Sequence, residues 1–300
     1  MPKNLSGTVA TTVAAIVLLA ATAARAQTFS AVFWPLYCQR GYMVDGYRDQ
    51  SGANDDRDIV GTFEQPAGFR ALDADYLYFR LRLDGSPTQG NGLTQFAWGF
   101  ELSTDNDPTD YEILIAVDGA SQTVRLYANP TTTVPDSPTD PADQLVMTYP
   151  FSQYGRVVDA GPSIFGGGND TYLDMAVPWT DLNALGVVRG TLVTIWAASS
   201  TDPDRLNGDF ACHDGGGGSG VPSLSQNPSA PIAPDPDSSP GPVGGPSGGG
   251  SDGGDPIGDA GIEGGPGCDC RVPGRGGPAG IGMLILALGW AAARRRARKL

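Results

Sequence analysis

The sequence predicts an all-β protein: a single two-sheet antiparallel β-sandwich, jelly-roll or immunoglobulin-like, with one short helix. Three observations support this fold class. Apolar and polar residues alternate with a period of two in segment after segment of residues 27–214. Clusters of Asp, Gly, Asn and Pro separate these segments, and only one stretch has a helical pattern. Many short strands with almost no helix are typical of two antiparallel sheets packed face to face.

The clearest strand is residues 76–83, where the side chains divide into two classes by position. One predicted face is apolar and consists of Leu77, Phe79, Leu81 and Leu83. The other face carries tyrosine and arginine, at Tyr76, Tyr78, Arg80 and Arg82. Similar patterns predict further strands at residues 96–102, 111–117, 123–127, 145–149, 172–177 and 192–199.

The helical pattern is confined to residues 178–186. Thr180 is the predicted N-cap, because its hydroxyl can accept from a backbone N–H in the first turn. Gly186 is predicted to end the helix, since glycine adopts the left-handed conformation of a helix terminus without a steric cost.

The charge of the chain excludes two classes of protein. The 300 residues include 19 Lys and Arg against 33 Asp and Glu, a formal net charge of −14. Residues 27–270 hold every acid and no lysine. Nucleic-acid binding needs a basic face to neutralise phosphates, so no nucleic-acid partner is expected. Apolar runs occur only at the two ends of the chain, which excludes a polytopic membrane protein.

Residues 1–26 have the three parts of a secretory signal peptide. Lys3 supplies the positive start, an apolar stretch follows, and Ala24-Arg25-Ala26 is a small-x-small cleavage site. We expect export and a mature chain that begins at Gln27. The alternative is an uncleaved N-terminal anchor, although the apolar stretch is shorter than the ~20 residues that span a bilayer.

Residues 215–267 have the composition of a disordered linker. Glycine, proline, serine and aspartate dominate this segment, and it contains no aromatic residue. Such a chain cannot bury enough apolar area to offset the entropy of ordering its backbone. We therefore expect an extended stalk that holds the sandwich, residues 27–214, away from a membrane or wall.

Residues 268–300 contain a Cys-containing motif, a Gly/Pro spacer, a short hydrophobic helix and a basic end. The cysteines are Cys268 and Cys270, and the predicted helix is residues 279–293. At 1.5 Å per residue this helix is shorter than the ~30 Å hydrocarbon core. The basic end consists of Arg294, Arg295, Arg296 and Arg298, with Lys299. Positive residues stay on the cytoplasmic side, so the rest of the chain is predicted to lie outside.

This order of parts resembles the MYXO-CTERM sorting signal of myxobacterial surface proteins. The resemblance implies recognition by a membrane-embedded sorting protease, cleavage or lipid modification at Cys268 or Cys270, and transfer to the outer surface of the cell envelope. The arginine cluster would retain the tail in the membrane until processing. The alternative is a plain tail anchor in which Cys268 and Cys270 form a disulfide.

Cys38 and Cys212 lie near the start and the end of the predicted sandwich. In an exported protein they are the natural disulfide pair, which would link the first and last strands. The alternative is two separate thiols. A metal site at these cysteines is poorly supported, because neither has a second cysteine nearby and His213 is the only histidine.

Acidic loops are the candidate metal ligands. Residues 103–112 place Asp105, Asp107, Asp110 and Glu112 on one turn, and clustered carboxylates are ligands that Ca²⁺ prefers. Asn54 to Asp58 form a second cluster, partly neutralised by Arg57. The alternative for both clusters is a solvated turn in which Asp side chains accept hydrogen bonds from their own backbone.

Enzymatic chemistry has little support in the sequence. A Ser–His–Asp or Cys–His site needs an imidazole, and His213 lies beside the linker. No lysine is present in residues 27–270 for a Schiff base or a general base. Paired carboxylates could hydrolyse glycosides, but such pairs arise by chance among so many aspartates.

Residues 73–84, the strand at 111–117 and the Val177-Pro178-Trp179 segment are similar to family 9 carbohydrate-binding modules and DOMON-like sandwiches. This resemblance implies sugar binding, or haem binding in some DOMON members, and haem has no obvious axial ligand here. Tyr76, Tyr78, Trp98 and Trp179 are the candidate sugar platform. We expect a non-enzymatic surface module that binds glycan or matrix polymer; the alternatives are a structural coat protein and, third, a glycan-acting hydrolase.

Overall fold

The computed structural model describes residues 27–38, 41–49, 56–212, 223–226 and 228–237. The strands run in the order β1 Trp34–Pro35, β2 Tyr37–Cys38, β3 Gly41–Tyr42, β4 Gly68–Leu72, β5 Tyr76–Leu83, β6 Thr88–Gln89, β7 Gly92–Leu93, β8 Ala97–Ser103, β9 Ile113–Asp118, β10 Thr123–Ala128, β11 Gln144–Pro150, β12 Gly155–Pro162, β13 Asn169–Pro178 and β14 Thr194–Ser200. The helices are α1 Phe151–Tyr154, α2 Trp179–Ala184 and the 3₁₀ turn Leu224–Gln226. The described chain is therefore all-β with few helical residues.

Two five-stranded antiparallel sheets form the body of the protein. The first sheet has the strand order β1-β4-β5-β13-β12, and the second has the order β11-β10-β9-β8-β14. Two small hairpins, β2-β3 and β6-β7, complete the strand pairing of the described residues. The chain returns to the first sheet after β11 and to the second sheet after β13, so both sheets contain strands from distant parts of the sequence.

The predicted alternation in β5 is confirmed, and it explains the core. Leu77, Phe79 and Leu81 are buried in a cluster that also contains Phe100 of β8 and Ile115 of β9. The rings of Phe79 and Phe100 stack with their centroids 4.5 Å apart, which joins the two sheets face to face. Side chains that alternate along each strand thus fill a shared, sandwich-like core.

The opposite face of the first sheet is also buried, although it carries charges. Arg82 donates Nη1 to Asp170 Oδ2 at 3.0 Å, and both side chains are almost fully inaccessible to solvent. The N-terminal segment covers this face. The Cζ atom of Arg80 lies 4.0 Å from the centroid of the Phe33 ring, and Phe29 packs against Tyr78. The polar face predicted for β5 is thus an ion-pair layer beneath aromatic rings.

Loops cover the outer face of the second sheet. Leu206, Phe210 and Leu224 form a second apolar cluster with Trp196 of β14. The Trp196 indole donates Nε1 to the Leu224 carbonyl oxygen at 2.8 Å. Strands β5, β8, β9 and β14 are therefore buried on both faces, whereas β11 at the edge of the second sheet is mostly exposed.

Cys38 and Cys212 form a disulfide, with their Cα atoms 6.4 Å apart and a sequence separation of 174. The sequence predicted this pair. The backbone supports the same junction, because Cys212 N donates to the Val44 carbonyl oxygen at 2.8 Å. The link connects the β2-β3 hairpin to the segment that follows β14.

Part of the predicted linker lies against the sandwich. Val193 and Ile232 form an antiparallel bridge, and Ser229 pairs with Cys38 in the same way. Ile232 and Ala233 are buried. Because these apolar residues are buried against the sandwich, the folded unit extends to Asp237 and not only to residue 214.

Seven strands and one cap differ from the expectations. β1, β2, β3, β6 and β7 have only two residues each and were not predicted. β4 and β12 were not predicted either, because β4 is only five residues long and β12 has a partly exposed pattern. Thr180 lies inside α2 and does not cap it; Pro178 is the N-cap residue, and no side chain caps this helix end. Gly186 has φ +87° just after the helix, as predicted for a terminating glycine.

No helix of the described residues combines the length and apolarity that crossing a membrane requires. The signal peptide, the predicted helix at residues 279–293 and the sorting residues Cys268, Cys270, Arg294, Arg295, Arg296 and Arg298 lie outside the described residues, as does His213.

Candidate functional site

The aromatic residues proposed as a sugar platform are buried, so this expectation is corrected. Tyr78 and Trp98 have no exposed surface, and Tyr76 and Trp179 are also buried. Trp98 donates Nε1 to the Asp56 carbonyl oxygen at 3.0 Å, and Trp179 donates Nε1 to that of Asp73 at 3.2 Å. These rings hold loops against the sheets, and none presents a face to a ligand.

A different tryptophan is exposed beside a pocket. Trp34 of β1 is 49% exposed. It lines a surface pocket of about 160 Å³ together with Ser30, Val32, Ala71, Leu72 and residues 235–237. The pocket lies at the edge of the first sheet, where the short β1 pairs with β4 and the segment after Ile232 passes alongside.

Backbone pairing explains the position of Trp34. Trp34 lies opposite Arg70 in the β1-β4 ladder. Arg70 is buried and donates Nη1 to the Pro35 carbonyl oxygen at 3.4 Å. Burial lowers the pKa of Arg70 to about 10, and the nearby Tyr37 and Asp235 oppose this decrease. A buried cation thus lies under the strand that carries the exposed indole.

A local acidic turn, residues 235–237, also lines the pocket. Asp235 N donates to the Arg189 carbonyl oxygen at 3.2 Å, which attaches the turn to the loop after α2. Asp237 N donates to Asp235 Oδ1 at 2.8 Å. A pocket lined by an apolar ring and two aspartates suits a ligand that has both a flat apolar face and hydroxyl donors.

The predicted calcium loop brings together three of its four candidate residues. Asp105, Asp110 and Glu112 each offer an oxygen within 4.8 Å of the others, whereas Asp107 is outside this group. Burial raises the pKa of Glu112, and hydrogen bonds from Thr104 oppose this increase. Hydrogen bonds from Thr109 lower the pKa of Asp107.

Local donors already engage these carboxylates. Asp105 Oδ1 accepts from Asp107 N at 2.8 Å, and Asp110 Oδ2 accepts from the Thr132 hydroxyl at 3.0 Å. Glu112 Oε2 accepts from Thr104 N at 2.5 Å. The loop therefore has the self-capped turns of the alternative interpretation, and calcium at Asp105, Asp107, Asp110 and Glu112 stays a prediction.

The second acidic cluster is only partly described. Asn54 and Asp55 lie outside the described residues. Asp58 is fully buried, and its two carboxylate oxygens accept from Arg48 N at 3.0 and 2.9 Å. Burial raises the pKa of Asp58 to about 7, and the charges of Asp84 and Asp49 raise it further against the Arg48 hydrogen bonds.

The sequence analysis identified neither Trp34 nor residues 235–237 as lining a pocket. Trp34 lies in an apolar run, residues 31–36, that was not assigned to a strand. Residues 231–234, Pro-Ile-Ala-Pro, are a short apolar stretch within a Gly- and Pro-rich segment, and this stretch was the available signal.

Comparison with protein-family models, curated protein sequences and solved structures gives no match for this chain.

Proposed function

We propose that this chain is an exported, surface-anchored, non-enzymatic module that binds a glycan or matrix polymer at the Trp34 pocket. The observation that carries the proposal is a half-exposed indole in a pocket that Asp235 and Asp237 also line. The indole offers an apolar face to a sugar ring, and carboxylates accept hydrogen bonds from its hydroxyl groups.

The position of the pocket suits an extended ligand. β1 is an edge strand of its sheet, and Val32 beside it is 68% exposed. Exposed apolar side chains grouped beside polar ones are typical of interaction sites. A polymer that lies along this edge could contact Val32 and Trp34 together, with the acidic turn on its other side.

The same geometry favours binding over glycoside hydrolysis. A hydrolase places its two carboxyl groups on opposite sides of the scissile bond. Asp235 and Asp237 belong to one turn, and Asp235 Oδ1 is engaged by the Asp237 backbone. The scarcity of histidine and lysine in residues 27–270 supports the same conclusion.

Export and anchoring rest on the ends of the chain. The signal-like residues 1–26 would engage the export machinery. The tail that resembles a MYXO-CTERM signal would engage a sorting protease, and its hydrophobic helix would hold the chain in the membrane at least transiently. Residues 238–267, rich in Gly and Pro, separate the last described residue from the cysteine motif.

Mass spectrometry of surface-exposed protein tests whether the C-terminal tail is cleaved. Retention of residues 279–300 in that protein would contradict processing by a sorting protease.

A glycan and polymer array with the exported protein tests the binding function. We expect binding to at least one saccharide, weakened about tenfold, or 1.4 kcal/mol, by Trp34→Ala. Phe63→Ala is the matched control, because Phe63 is another exposed aromatic residue, 53% accessible, outside the pocket. Binding to no saccharide or polymer would favour a structural coat protein. Equal binding by Trp34→Ala and the wild type would place the site elsewhere.

A further inference from the structure

The charge of the Trp34 pocket selects among the sugars that could bind there. Two aspartates, Asp235 and Asp237, line the pocket, and no lysine, arginine or histidine is among the described residues that line it. In the surrounding domain, residues 27–214 contain ten arginines, no lysine and 26 acidic residues. A negative pocket in a negative domain repels a polyanion and attracts a cation.

The two arginines beside the pocket are engaged by other partners. Arg70 is buried and donates Nη1 to the Pro35 carbonyl oxygen at 3.4 Å. Arg189 donates Nη2 to the Asp73 carbonyl oxygen, and its Cζ atom lies 5.2 Å from the centroid of the Trp179 ring. Neither side chain lines the pocket. A positive charge inside it would therefore come from the ligand.

Asp237 presents the carboxylate that a ligand can contact. Asp235 is already engaged, because its charge opposes the decrease that burial causes in the pKa of Arg70, and its Oδ1 accepts from Asp237 N at 2.8 Å. Asp237 is exposed, and its carboxylate makes no hydrogen bond or ion pair with another described residue. An ionised carboxylate forms a stronger hydrogen bond with an ammonium group than with a neutral hydroxyl group.

The indole of Trp34 favours a ligand of the same kind. Its face can stack on the C–H face of a sugar ring, and the face of a tryptophan ring also attracts a positive charge. Trp34 is 49% exposed, so a sugar ring can reach it. A protonated amino sugar has both features in one rigid ring, whereas the lysine side chain of a basic peptide would lose more rotamer freedom on binding.

Hydrogen bonds join the three segments that form the pocket. Thr28 donates Oγ1 to Asp73 Oδ2 at 3.2 Å, which attaches the N-terminal segment to the end of β4. Arg189 contacts both remaining segments, because its Nη2 donates to the Asp73 carbonyl oxygen and its own carbonyl oxygen accepts from Asp235 N at 3.2 Å. The pocket is thus formed before a ligand binds, which reduces the entropic cost of binding.

We propose that the Trp34 pocket binds a polysaccharide that carries free amino groups, with an ammonium group against Asp237 and a sugar ring on Trp34. This inference rests on the binding function proposed above and names the class of glycan, the de-N-acetylated amino sugars. N-acetylated and neutral sugars lack the positive charge that the carboxylate attracts. Sulfated and uronic acid polymers carry a charge that the pocket repels.

Calorimetric titration of the full chain, purified in detergent, tests the proposal with a glucosamine oligomer and an N-acetylglucosamine oligomer of the same length. At about pH 5.5, where amino groups are protonated, we expect the glucosamine oligomer to bind at least about tenfold more tightly. Asp237→Asn should remove most of this preference, and Trp34→Ala should weaken the binding of the glucosamine oligomer about tenfold. Asp159→Asn is the control, because it changes the net charge equally at an exposed position of β12 outside the pocket.

Three results would overturn the amino-sugar proposal and leave the binding function intact. One is equal or tighter binding of the N-acetylated oligomer, weakened by Trp34→Ala. The second is an equal loss of preference in Asp237→Asn and Asp159→Asn, which would assign the preference to the overall charge of the domain. The third is binding of another saccharide of the glycan array but of neither oligomer. Tighter binding of a lysine oligomer than of the glucosamine oligomer would make the ligand a basic peptide, and an array without any bound saccharide would contradict the binding function itself.

Discussion

The Arg80 guanidinium donates to both carboxylate oxygens of Asp174, from Nε to Oδ1 at 2.5 Å and from Nη2 to Oδ2 at 2.9 Å. The two residues lie opposite each other on β5 and β13, and the Asp174 side chain has no solvent exposure. Arg156 of β12 donates Nε to the same carboxylate at 2.5 Å. One aspartate therefore compensates two arginines across three neighbouring strands.

Removal of this carboxylate charge should strongly destabilise the fold. Asp174→Asn removes the shared counter-charge of Arg80, which is 13% exposed, and of Arg156, which is 37% exposed and partly screened by solvent. Because Arg80 and the carboxylate are buried, we expect a loss of about 3 kcal/mol in the free energy of unfolding. Urea denaturation of the wild type and the variant measures this difference in the free energy of unfolding. Asp202→Asn is the control, because Asp202 is 54% exposed and 3.9 Å from Arg205, and should cost less than about 1 kcal/mol. Equal losses would contradict a structural role for the buried layer.

Loss of the Cys38–Cys212 disulfide should lower the free energy of unfolding, because the unfolded chain gains conformational entropy. The bond closes a loop of 174 residues, for which chain entropy predicts a cost of about 5 kcal/mol on removal, as an upper limit. Cys38→Ala/Cys212→Ala should therefore unfold at lower urea concentration than the wild type. Cys268→Ser/Cys270→Ser should not, because those residues lie outside the described fold. An unchanged midpoint in the first variant would contradict the prediction.

Glu101 should make stability depend on pH. This residue is fully buried on β8, its Oε1 accepts from Leu206 N at 3.3 Å, and no donor among the described residues reaches Oε2. Burial raises the pKa of Glu101 well above its ordinary value, the Leu206 hydrogen bond opposes this increase, and the charge of Asp140 adds to it. Burial, and after it the charge of Glu101, raises the pKa of Tyr111.

The sign of this dependence follows from the raised pKa. Below about pH 4 Glu101 is protonated in both the folded and unfolded states and costs nothing. As the pH rises, the unfolded state ionises first, so the folded state loses stability until the folded pKa is passed. Glu101→Gln should therefore raise Tm at pH 7 and leave it unchanged near pH 3. A variant that is equally stable or less stable than the wild type at pH 7 would contradict this.

The end of the folded unit can be tested by truncation. Leu224 and Ile232 are 2% and 6% exposed, and each buried side chain contributes about 1.5–3 kcal/mol. A chain that stops at residue 214 should therefore lose at least about 3 kcal/mol relative to one that stops at residue 237. Chains that stop at 237 and at 267 should melt at the same temperature. If the 214 chain is equally stable, residues 223–237 do not belong to the folded unit.

The sequence by itself determined the all-β class, the inner face of β5, the glycine that ends α2 and the Cys38–Cys212 pair. The first three depend on local rules, namely the two-residue period of a strand and the left-handed conformation of glycine. The disulfide was predictable because Cys38 and Cys212 are the two cysteines of residues 27–214, and the expectation of export favoured their pairing.

Only the tertiary structure decided which surfaces are covered and which side chains meet. Trp98 and Trp34 are both tryptophans in strands. Trp98 is buried between the sheets and donates to the Asp56 carbonyl oxygen, whereas Trp34 lines a surface pocket. Asp209 joins Asp45 and Asp49 through the return of the chain after β14. Such contacts depend on how distant segments pack, and no local pattern of residues encodes that packing.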